Sequence, residues 1–300
     1  MILSQIDGNA LLSQINFAGT HDSCTAFVSM ESMARCQSLT VTEQLRLGIR
    51  LFDIRLNRRG DEFYLIHSLA DCYADKEKKT KLTFGNVLCD FEKFLCENPD
   101  ETLVISIKQD RGIMSRFFFP AFYDKYIKGN EEKWYLKNED PCLSSCRGKM
   151  VLMRRCKVWK NFLSQHDAGL DFSYWKDQSG LRKTGTEKVI LSAERKLIAE
   201  VQDRYSLDVP TKWKKSAKPF LQREEKSDAA FRIHFLSTSY RKKGETLYET
   251  AREMNAYFMA YDLRKDRAQG WFFFDFPTRD IVEKINSANR CIYFSETEFL

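Results

Sequence analysis

The stretch RLFDIRL, residues 50–56, combines branched and aromatic apolar side chains with an acid at Asp53 and a base at Arg55. An apolar run of this kind, too short for a typical helix, is typical of a strand that is covered on both faces. Strands of this type occur mainly in parallel sheets flanked by helices. RLFDIRL therefore indicates a protein of the α/β class.

Seven further stretches share this character, and helix-like segments separate most of them. The strands are INFAGT (15–20), EFYLIHS (62–68), TLVISIK (102–108), KMVLMRR (149–155), IAEVQDRY (198–205), FRIHFLST (231–238) and WFFFDFP (271–277). Amphipathic segments begin near Thr40 or Thr42, after Thr83 and after the last strand. Because EFYLIHS follows RLFDIRL too closely to admit a helix, we expect a distorted (β/α)8 barrel, with residues 1–300 in a single domain.

The composition favours a globular protein and argues against a membrane-spanning or nucleic-acid-binding one. With 43% apolar and 30% charged residues in 300, the chain can bury a large core, and no apolar run reaches the length of a membrane span. The net charge of +6 is mild and its charges are spread along the chain. We therefore expect no nucleic-acid partner and at most a weak preference for anionic surfaces.

The cysteines and the N-terminus bear on location. Nine cysteines without a dense framework favour a reducing compartment, and MILSQIDGNALLSQ lacks the basic region of a secretory leader. We favour a cytoplasmic location, with secretion the alternative if a leader has been removed. Cys142 and Cys146 form the only close pair, and without a second pair or a nearby histidine we expect no zinc there.

Polar side chains that can do chemistry recur at the ends of the predicted strands. They are His21, Asp22, Asp53, Arg55, His67, Lys108, Arg154, Arg155, Asp203, Tyr205 and Asp275. In a (β/α)8 barrel the carboxyl ends of the strands form one mouth, where the catalytic groups lie. We therefore expect these residues to converge on one site.

Each of these residues also has an ordinary structural explanation. A single histidine at a strand end is more often structural than catalytic, and Asp53 with Arg55 could be an internal ion pair. Asp275 could be a buried acid satisfied by a helix start. The recurrence of such residues at consecutive strand ends favours a site. The other two histidines do not fit the pattern, and we expect His234 to lie in the core and His166 to be solvated.

Two histidines and an arginine suit one kind of reaction. Imidazoles can serve as base and acid at neutral pH, and a guanidinium is shaped for phosphate. Metal-assisted phosphodiesterases would instead need clustered acidic ligands, whereas Arg55 occupies the position that would face the phosphate. The set predicts phosphodiester transfer with no metal or other cofactor.

The motifs then resemble a known family, the bacterial phosphatidylinositol-specific phospholipases C, whose catalytic domain is a distorted (β/α)8 barrel. The matching stretches are AGTHDS (18–23), EQLRLGIRLFDIRL (43–56), IHS (66–68), TLVISIK (102–108), RGKMVLMRR (147–155), VQDRY (201–205) and FFFDFP (272–277). They occur in the family's order and extend over nearly the whole chain. GTHDS followed by GIRLFDIR is the most specific part of the match.

The resemblance implies a role for each catalytic position. His21 corresponds to the general base that deprotonates the inositol 2-hydroxyl, with Asp275 fixing its tautomer. Arg55 corresponds to the phosphate-binding arginine, and Asp53 to the carboxylate that supports it. His67, assisted by Asp22, corresponds to the general acid that protonates the diacylglycerol oxygen. The implied products are diacylglycerol and inositol 1,2-cyclic phosphate, with slower hydrolysis of the cyclic ester.

The resemblance also implies a substrate and its binding residues. The positions that bind the inositol ring are matched by Lys108, Arg155, Asp203 and Tyr205. Arg155 is favoured over Arg154, although a shift of one residue in the register of the strand would exchange the two. The partner is a phosphatidylinositol-type lipid, met by peripheral contact at a membrane or micelle surface. We expect the protein to act as a monomer.

Several features depart from the family's pattern. Its members are usually secreted and poor in cysteine, and they commonly have glycine after the general acid, where this chain has Ser68. The lysine-rich segment 206–226, with Trp213 and Phe220, could touch an anionic membrane, although a helix covering the barrel is favoured. The phenylalanines of MSRFFFPAF (114–122) could insert into a membrane, although core packing is favoured.

Two alternative functions stay open. One is another barrel phosphodiesterase, of the glycerophosphodiester or sphingomyelin type, which would carry acidic metal ligands on the second strand where this chain has Asp53-Ile54-Arg55. The other is a catalytically silent module that binds inositol lipids, which the loss of a histidine or of Arg55 would have signalled.

Overall fold

The computed structural model describes residues 3–111, 115–178, 186–223 and 229–289. Met114, residues 224–226 and Cys291, which belong to features discussed above, lie outside these ranges. The described strands are β1 (Phe17–Thr20), β2 (Leu51–Arg59), β3 (Glu62–His67), β4 (Ala70–Asp71), β5 (Leu103–Gln109), β6 (Trp134–Tyr135), β7 (Met150–Arg154), β8 (Leu170–Asp171), β9 (Glu187–Ser192), β10 (Leu197–Gln202), β11 (Phe231–Phe235) and β12 (Trp271–Phe274).

Ten α-helices accompany these strands in the described ranges. They are α1 (Glu31–Ala34), α2 (Val41–Leu47), α3 (Phe84–Glu97), α4 (Phe118–Tyr126), α5 (Leu143–Cys146), α6 (Lys160–Leu163), α7 (Val209–Lys212), α8 (Lys218–Gln222), α9 (Leu247–Met259) and α10 (Arg279–Ser287). A π-helical turn, Trp213–Ala217, joins α7 to α8. Helix α2 begins after Thr40, whose side chain accepts a hydrogen bond from the Glu43 backbone, so Thr40 rather than Thr42 is the cap.

The alternation along β2 explains both the fold and the position of its charges. Leu51 packs into the cluster inside the barrel, whereas Phe52 and Ile54 pack into the cluster between the sheet and the helices. Side chains two apart on a strand share a face, so Asp53 and Arg55 lie on the same side as Leu51. The strand is thus apolar on both faces and presents its charges to the barrel interior.

The sheet is a curved row of parallel strands. Its order is β6, β7, β5, β2, β1, β12, β11, β10 and β9, and every pairing from β6 to β10 is parallel. The chain therefore forms the predicted distorted barrel, and each of the eight strands predicted from the sequence is present. One of them, β3, pairs antiparallel with the end of β2 and extends outward as a hairpin, so it is not a barrel strand.

The barrel stays open on one side. The remaining parallel strand, β8, has two residues and pairs with β7, whereas the free edge of β10 carries the antiparallel strand β9. Within the described ranges, no ladder of hydrogen bonds joins β8 to β9. Strand β9 was not predicted from the sequence, because the charged Glu187 and Lys188 open it and leave VIL as its only apolar run.

The structure shows where the two segments with a suggested membrane role lie. Trp213 and Phe220 are buried, so the segment 209–222 covers the barrel, as favoured from its sequence. The three phenylalanines do not act together: Phe118 and Phe119 are buried, whereas Phe117 is 60% exposed. Core packing is confirmed for two of them and is wrong for Phe117. Among the residues described, no helix has both the length and the apolar character needed to cross a bilayer.

Candidate active site

A cavity of about 810 Å³ opens at the carboxyl ends of the strands. Eight of the residues singled out in the sequence line it, namely His21, Arg55, His67, Lys108, Arg155, Asp203, Tyr205 and Asp275. Asp22 and Asp53 are buried beside it and contact its lining residues. The structure therefore brings the polar residues at the strand ends together at one mouth of the barrel, as expected, with the exception of Arg154.

His21 follows β1 and faces Asp275, which follows β12. Its Nδ1 lies 2.8 Å from Oδ1 of Asp275, and because a carboxylate oxygen accepts, the Nδ1 proton is held there. Nε2 is then the atom free to take a proton. Burial lowers the pKa of His21, but the negative charges of Asp275 and Asp22 outweigh burial, so the pKa lies above its ordinary value.

His67 lies at the end of β3, across the cavity from His21. Its Nδ1 is 2.8 Å from the carbonyl oxygen of Ala34, so Nδ1 carries a proton and Nε2 faces the site. The ring centroids of His21 and His67 are 6.1 Å apart, with the planes at 80°. Oδ2 of Asp22 lies 3.0 Å from Nε2 of His21 and 3.5 Å from Nε2 of His67. One carboxylate therefore stands between the two imidazoles.

Arg55 is surrounded by carboxylates. Its Nε lies 3.0 Å from Oδ2 of Asp53 and 3.2 Å from Oδ1 of Asp22, and Nη1 lies 3.8 Å from Oδ1 of Asp110. Burial alone would raise the pKa of Asp53, but Arg55 and Arg155 outweigh it and lower that pKa to about 2. Asp53 is thus a fixed negative charge that orients two guanidinium groups.

The question between Arg154 and Arg155 has a clear answer. Nη1 of Arg155 lies 3.2 Å from Oδ1 of Asp53, and its guanidinium lies 3.8 Å from the centre of the Trp175 ring, on the cavity wall. Arg154 points to the other face of β7, where Nη2 lies 2.8 Å from Asp171 and the guanidinium is close to Phe119. Arg155 is the inward residue, as the sequence interpretation favoured.

The remaining predicted binding residues also line the cavity. Lys108 Nζ lies 2.9 Å from Oδ1 of Asp110, and the hydroxyl of Tyr205 donates to Asp177 at 2.6 Å. Asp203 follows β10, and its burial raises its pKa. Cations, a carboxylate and an aromatic ring are thus presented together, which suits a polyhydroxylated ligand that bears a phosphate.

The two other histidines lie away from this site. His234 is fully buried, and burial lowers its pKa to about 3, which confirms it as a core residue. His166 is partly buried, with its ring 4.9 Å from that of Tyr123 and 4.8 Å from that of Phe162. The expectation that His166 is solvated is therefore wrong in part, because its loop folds back onto α4 and α6.

Three residues beside the cavity have an unusual backbone conformation. Asp22, Ser68 and Phe276 have φ values of 44°, 54° and 46°, in the left-handed region that non-glycine residues rarely adopt. Each directly follows a residue that lines the cavity. Strain of this kind is found where surrounding contacts fix an unusual turn, often at functional sites. At Ser68 it explains why a glycine would be favoured.

Several residues of the site were not found from the sequence. Asp110 follows β5 two positions after Lys108, so the rule about strand ends could have identified it. Gln37 donates to the carbonyl oxygens of His21 and Phe274 at 2.7 Å and 2.9 Å, and it holds the turn that carries His21. Lys212, on α7, does not line the cavity; it is fully buried, which lowers its pKa to about 8, and its charge acts on Asp203 and Asp275. Neither Gln37 nor Lys212 has a sequence signal.

Comparisons with known proteins agree with this arrangement. Residues 9–129 match the family model described as PI-PLC X. This segment contains His21, Asp22, Asp53, Arg55, His67 and Lys108. Arg155, Asp203, Tyr205 and Asp275, which complete the cavity, lie in the chain beyond it.

Curated relatives are named as phosphodiesterases of phosphatidylinositol. The chain is 29% identical over 162 residues to a 1-phosphatidylinositol phosphodiesterase of Staphylococcus aureus, a match that covers 51% of this chain and 50% of that protein. The chain thus spans about half the length of the first curated relatives it matches. A 1-phosphatidylinositol phosphodiesterase of Listeria monocytogenes is 22% identical over 303 residues, which cover 96% of this chain and 84% of that protein.

Solved structures share the fold. The phosphatidylinositol-specific phospholipase C of S. aureus superposes with a TM-score of 0.76 at 22% identity, covering 96% of each chain. That of L. monocytogenes gives a TM-score of 0.71 at 21% identity, covering 96% of this chain and 98% of the other. The resemblance seen in the sequence is confirmed to this extent: residues 9–129 match the PI-PLC X family model, and the whole described chain has the fold of the bacterial phosphatidylinositol-specific phospholipases C.

Proposed function

We propose that this protein cleaves phosphatidylinositol by intramolecular transphosphorylation, giving diacylglycerol and inositol 1,2-cyclic phosphate. One observation carries the proposal: two imidazoles face each other across a cavity that also presents Arg55. A base, an acid and a fixed positive charge are what a phosphodiester needs when its nucleophile belongs to the substrate itself. The names of the relatives given above support the same substrate.

The first step assigns His21 as the base. Asp275 holds the Nδ1 proton of His21, so Nε2 can accept the proton of the inositol 2-hydroxyl. The new bond joins that oxygen to phosphorus. The imidazolium that forms is stabilised by Asp275 and by Asp22, both of which raise the pKa of His21. Asp275 thus acts as a positioning residue for the base.

His67 is assigned as the general acid that protonates the leaving oxygen. The bond from phosphorus to the diacylglycerol oxygen breaks as His67 donates a proton from Nε2, and Asp22 lies 3.5 Å from that atom, close enough to orient the ring. Arg55 neutralises the phosphoryl oxygens, and Asp53 holds its guanidinium in place. Lys108, Arg155, Asp203 and Tyr205 bind the inositol ring. Hydrolysis of the cyclic ester then uses the same two histidines in reversed roles.

The proposed reaction uses the charge of Arg55 where other phosphodiesterases use a cation. Asp22 and Asp53, the acidic groups nearest the phosphate position, are each within 3.2 Å of its guanidinium, as expected for carboxylates that orient an arginine. This pairing separates the proposal from the alternative of a metal-assisted glycerophosphodiesterase. It predicts turnover that does not respond to a chelator.

A lipid substrate requires contact with a membrane or micelle surface, and we place that contact at the cavity rim. Phe117 follows β5 and Trp159 follows β7, and their rings lie 4.2 Å apart with Phe117 60% exposed. Arg116, next to Phe117, and Lys157, two residues before Trp159, are exposed cations that also line the cavity. An aromatic pair flanked by cations suits an interface that contains anionic lipid.

We further propose that residues 1–300 form one catalytic unit that acts as a monomer. The proposed site draws on both the matched segment and the region beyond it, so it needs both parts of the chain. We also propose a reducing compartment, since the eight cysteines that the structure describes are all free thiols. Sedimentation and mass spectrometry of the protein isolated from its natural source would test both points.

Phosphorus NMR of phosphatidylinositol in detergent micelles tests the function. We expect the signal of inositol 1,2-cyclic phosphate to appear first and that of inositol 1-phosphate to follow more slowly, at the same rate with and without EDTA. Turnover that disappears with EDTA would support a metal-assisted enzyme, and binding of the lipid without turnover would support a silent module. Either result would overturn the proposal.

A further inference from the structure

Cys36 lies inside the cavity and has no part in the proposed reaction. It is 1% exposed, lines the cavity, and its Sγ lies 3.7 Å from Nδ1 of His67. Its backbone is fixed by hydrogen bonds to Thr25 and from Phe276. The thiol is therefore held at the catalytic centre by the loop before α2 rather than by a strand end.

The thiol belongs to a cluster of potential metal ligands. One donor atom from each of His21, Asp22 and Cys36 lies within 4.8 Å of the other two. Nε2 of His21 is 3.0 Å from Oδ2 of Asp22. In a tetrahedral zinc site, metal–ligand bonds of about 2.0–2.3 Å separate neighbouring ligand atoms by about 3.3–3.6 Å. Small side-chain movements would therefore bring these three atoms around one ion.

Asp22 gives independent support for a ligand at this point. Both of its carboxylate oxygens are fully buried and accept no hydrogen bond from the described residues, although His21, His67 and Arg55 lie at ion-pair distance. A buried carboxylate that lacks hydrogen bonds is costly unless a positive charge is close to it. Arg55 supplies such a charge beside Oδ1, so the oxygen left for a cation between Asp22, His21 and Cys36 is Oδ2.

We propose that His21, Asp22 and Cys36 form a site for a thiophilic divalent cation, of which Zn²⁺ is the natural representative, and that its occupancy switches off the phosphodiesterase. Cysteine, histidine and aspartate together are ligands that Zn²⁺ accepts and that Ca²⁺ and Mg²⁺ do not favour. Three protein ligands leave a fourth position for water. The effect on turnover rests on the proposed function, whereas the binding itself does not.

The inhibition follows from the atom that the ion occupies. A metal bound to Nε2 of His21 takes the lone pair that would accept the proton of the 2-hydroxyl. The same ion draws Asp22 away from its position between the two imidazoles. Binding of zinc and proton transfer from the substrate are therefore mutually exclusive, and zinc should compete with substrate.

The surrounding charges act on this site in opposite directions. Arg55 lies 3.2 Å from the other oxygen of Asp22 and opposes a second cation, whereas Asp275, 2.8 Å from Nδ1 of His21, favours one. Asp275 thus offsets part of the repulsion from Arg55.

Cobalt titration of the intact protein tests the site without using activity. Co²⁺ bound to a thiolate gives a charge-transfer absorption in the near ultraviolet, so wild-type protein should show it with one equivalent of Co²⁺ and lose it on adding Zn²⁺. Cys36→Ser and Cys36→Ala should lack the band. Cys89→Ser and Cys96→Ser, which alter exposed thiols, should keep it. Two replacements at Cys36 guard against one variant that does not fold.

Inhibition is measured in parallel, against each protein's own rate without added metal. The zinc concentration that halves turnover should rise at least about tenfold in the Cys36 variants and stay unchanged in the Cys89 and Cys96 variants. A wild-type protein without the thiolate band, or a Cys36 variant that keeps it, would overturn the proposal. A clear band in a protein that cleaves no phosphodiester would instead leave the metal site standing and remove the proposed function.

Discussion

Nδ1 of His21 lies 2.8 Å from Oδ1 of Asp275, although 254 positions separate the two residues in the chain. The register of the sheet brings them together. Thr20 and Phe274 are partners in the parallel pair of β1 and β12, and His21 and Asp275 are the next residue on each strand. First and last described strands are neighbours because β2, β5 and β7 continue the sheet on one side of β1 and β12 pairs with its other side. The fold therefore creates the proposed catalytic pair.

Asp275→Asn should change both the rate and its dependence on pH. His21 acts as a base only when neutral, so kcat/KM rises with pH through the pKa of His21, which Asp275 and Asp22 hold above its ordinary value. Loss of the Asp275 charge lowers that pKa. We expect the acidic limb to move to lower pH while the plateau falls at least about tenfold, because the tautomer is no longer held.

A pH–rate profile of kcat/KM, with the exposed Asp124→Asn as the matched control, measures this effect. An acidic limb that stays in place would show that Asp275 does not act on the base. A plateau that stays at the wild-type level would show that the tautomer needs no support.

The strands and their polar ends could be predicted because they carry a local signal. An apolar run that ends in Asp275 or in Lys108 is visible in seven residues, and the barrel rule then assigns those ends to one mouth. Asp110, which directly follows β5, satisfies the same rule. The exposed Phe117 could not be separated from Phe118 and Phe119, since three identical side chains give no indication of which one faces solvent.

Other parts of the site depend on contacts between distant segments. Gln37, Cys36 and Trp175 come from loops, where sequence periodicity gives no direction to a side chain. Lys212 comes from a helix whose pattern suggests a charged, solvated face, yet the structure buries its ammonium against the carbonyl oxygen of Ser237. Tertiary packing positions these residues, so a single sequence does not reveal them.

Arg155 and Arg154 form a matched pair for mutagenesis. Arg155→Met should lower kcat/KM at least about tenfold, since its guanidinium lines the cavity and is paired with Asp53. Arg154→Met should leave KM close to the wild-type value but lower the free energy of unfolding by about 1–3 kcal/mol, because it removes a buried ion pair with Asp171. Steady-state kinetics and urea unfolding of both variants measure this, and the reverse pattern would show that Arg154 is the inward residue.

Ser68→Gly should stabilise the protein. Ser68 has a φ of 54°, which costs a residue with a Cβ about 1–2 kcal/mol relative to glycine. Glycine also increases the conformational entropy of the unfolded chain, which offsets part of this gain. We therefore expect the free energy of unfolding to rise by about 0.5–1 kcal/mol. Ser13→Gly, at a residue outside the left-handed region, should lower it. Denaturant unfolding that shows no gain for Ser68→Gly would mean that the turn is not strained.

Phe117→Ala should weaken membrane binding without affecting the chemistry. Phe117 and Trp159 form the exposed aromatic pair at the rim, and an exposed phenylalanine contributes apolar area only at an interface. We expect weaker binding to vesicles that contain anionic lipid and unchanged turnover of a soluble inositol phosphodiester. Leu11→Ala, which changes an exposed apolar residue before β1, is the control. Vesicle binding that stays at the wild-type level would place the lipid contact elsewhere.

The most direct test of the assigned roles compares two histidine variants on two substrates. On phosphatidylinositol, His21→Ala and His67→Ala should each lower turnover at least about a hundredfold, whereas His166→Ala should not. On an inositol phosphodiester with an aryl leaving group, whose oxygen needs no proton, His67→Ala should recover to within about tenfold of wild type and His21→Ala should not. Equal recovery of both variants, or of neither, would contradict the assignment of one histidine as base and the other as acid.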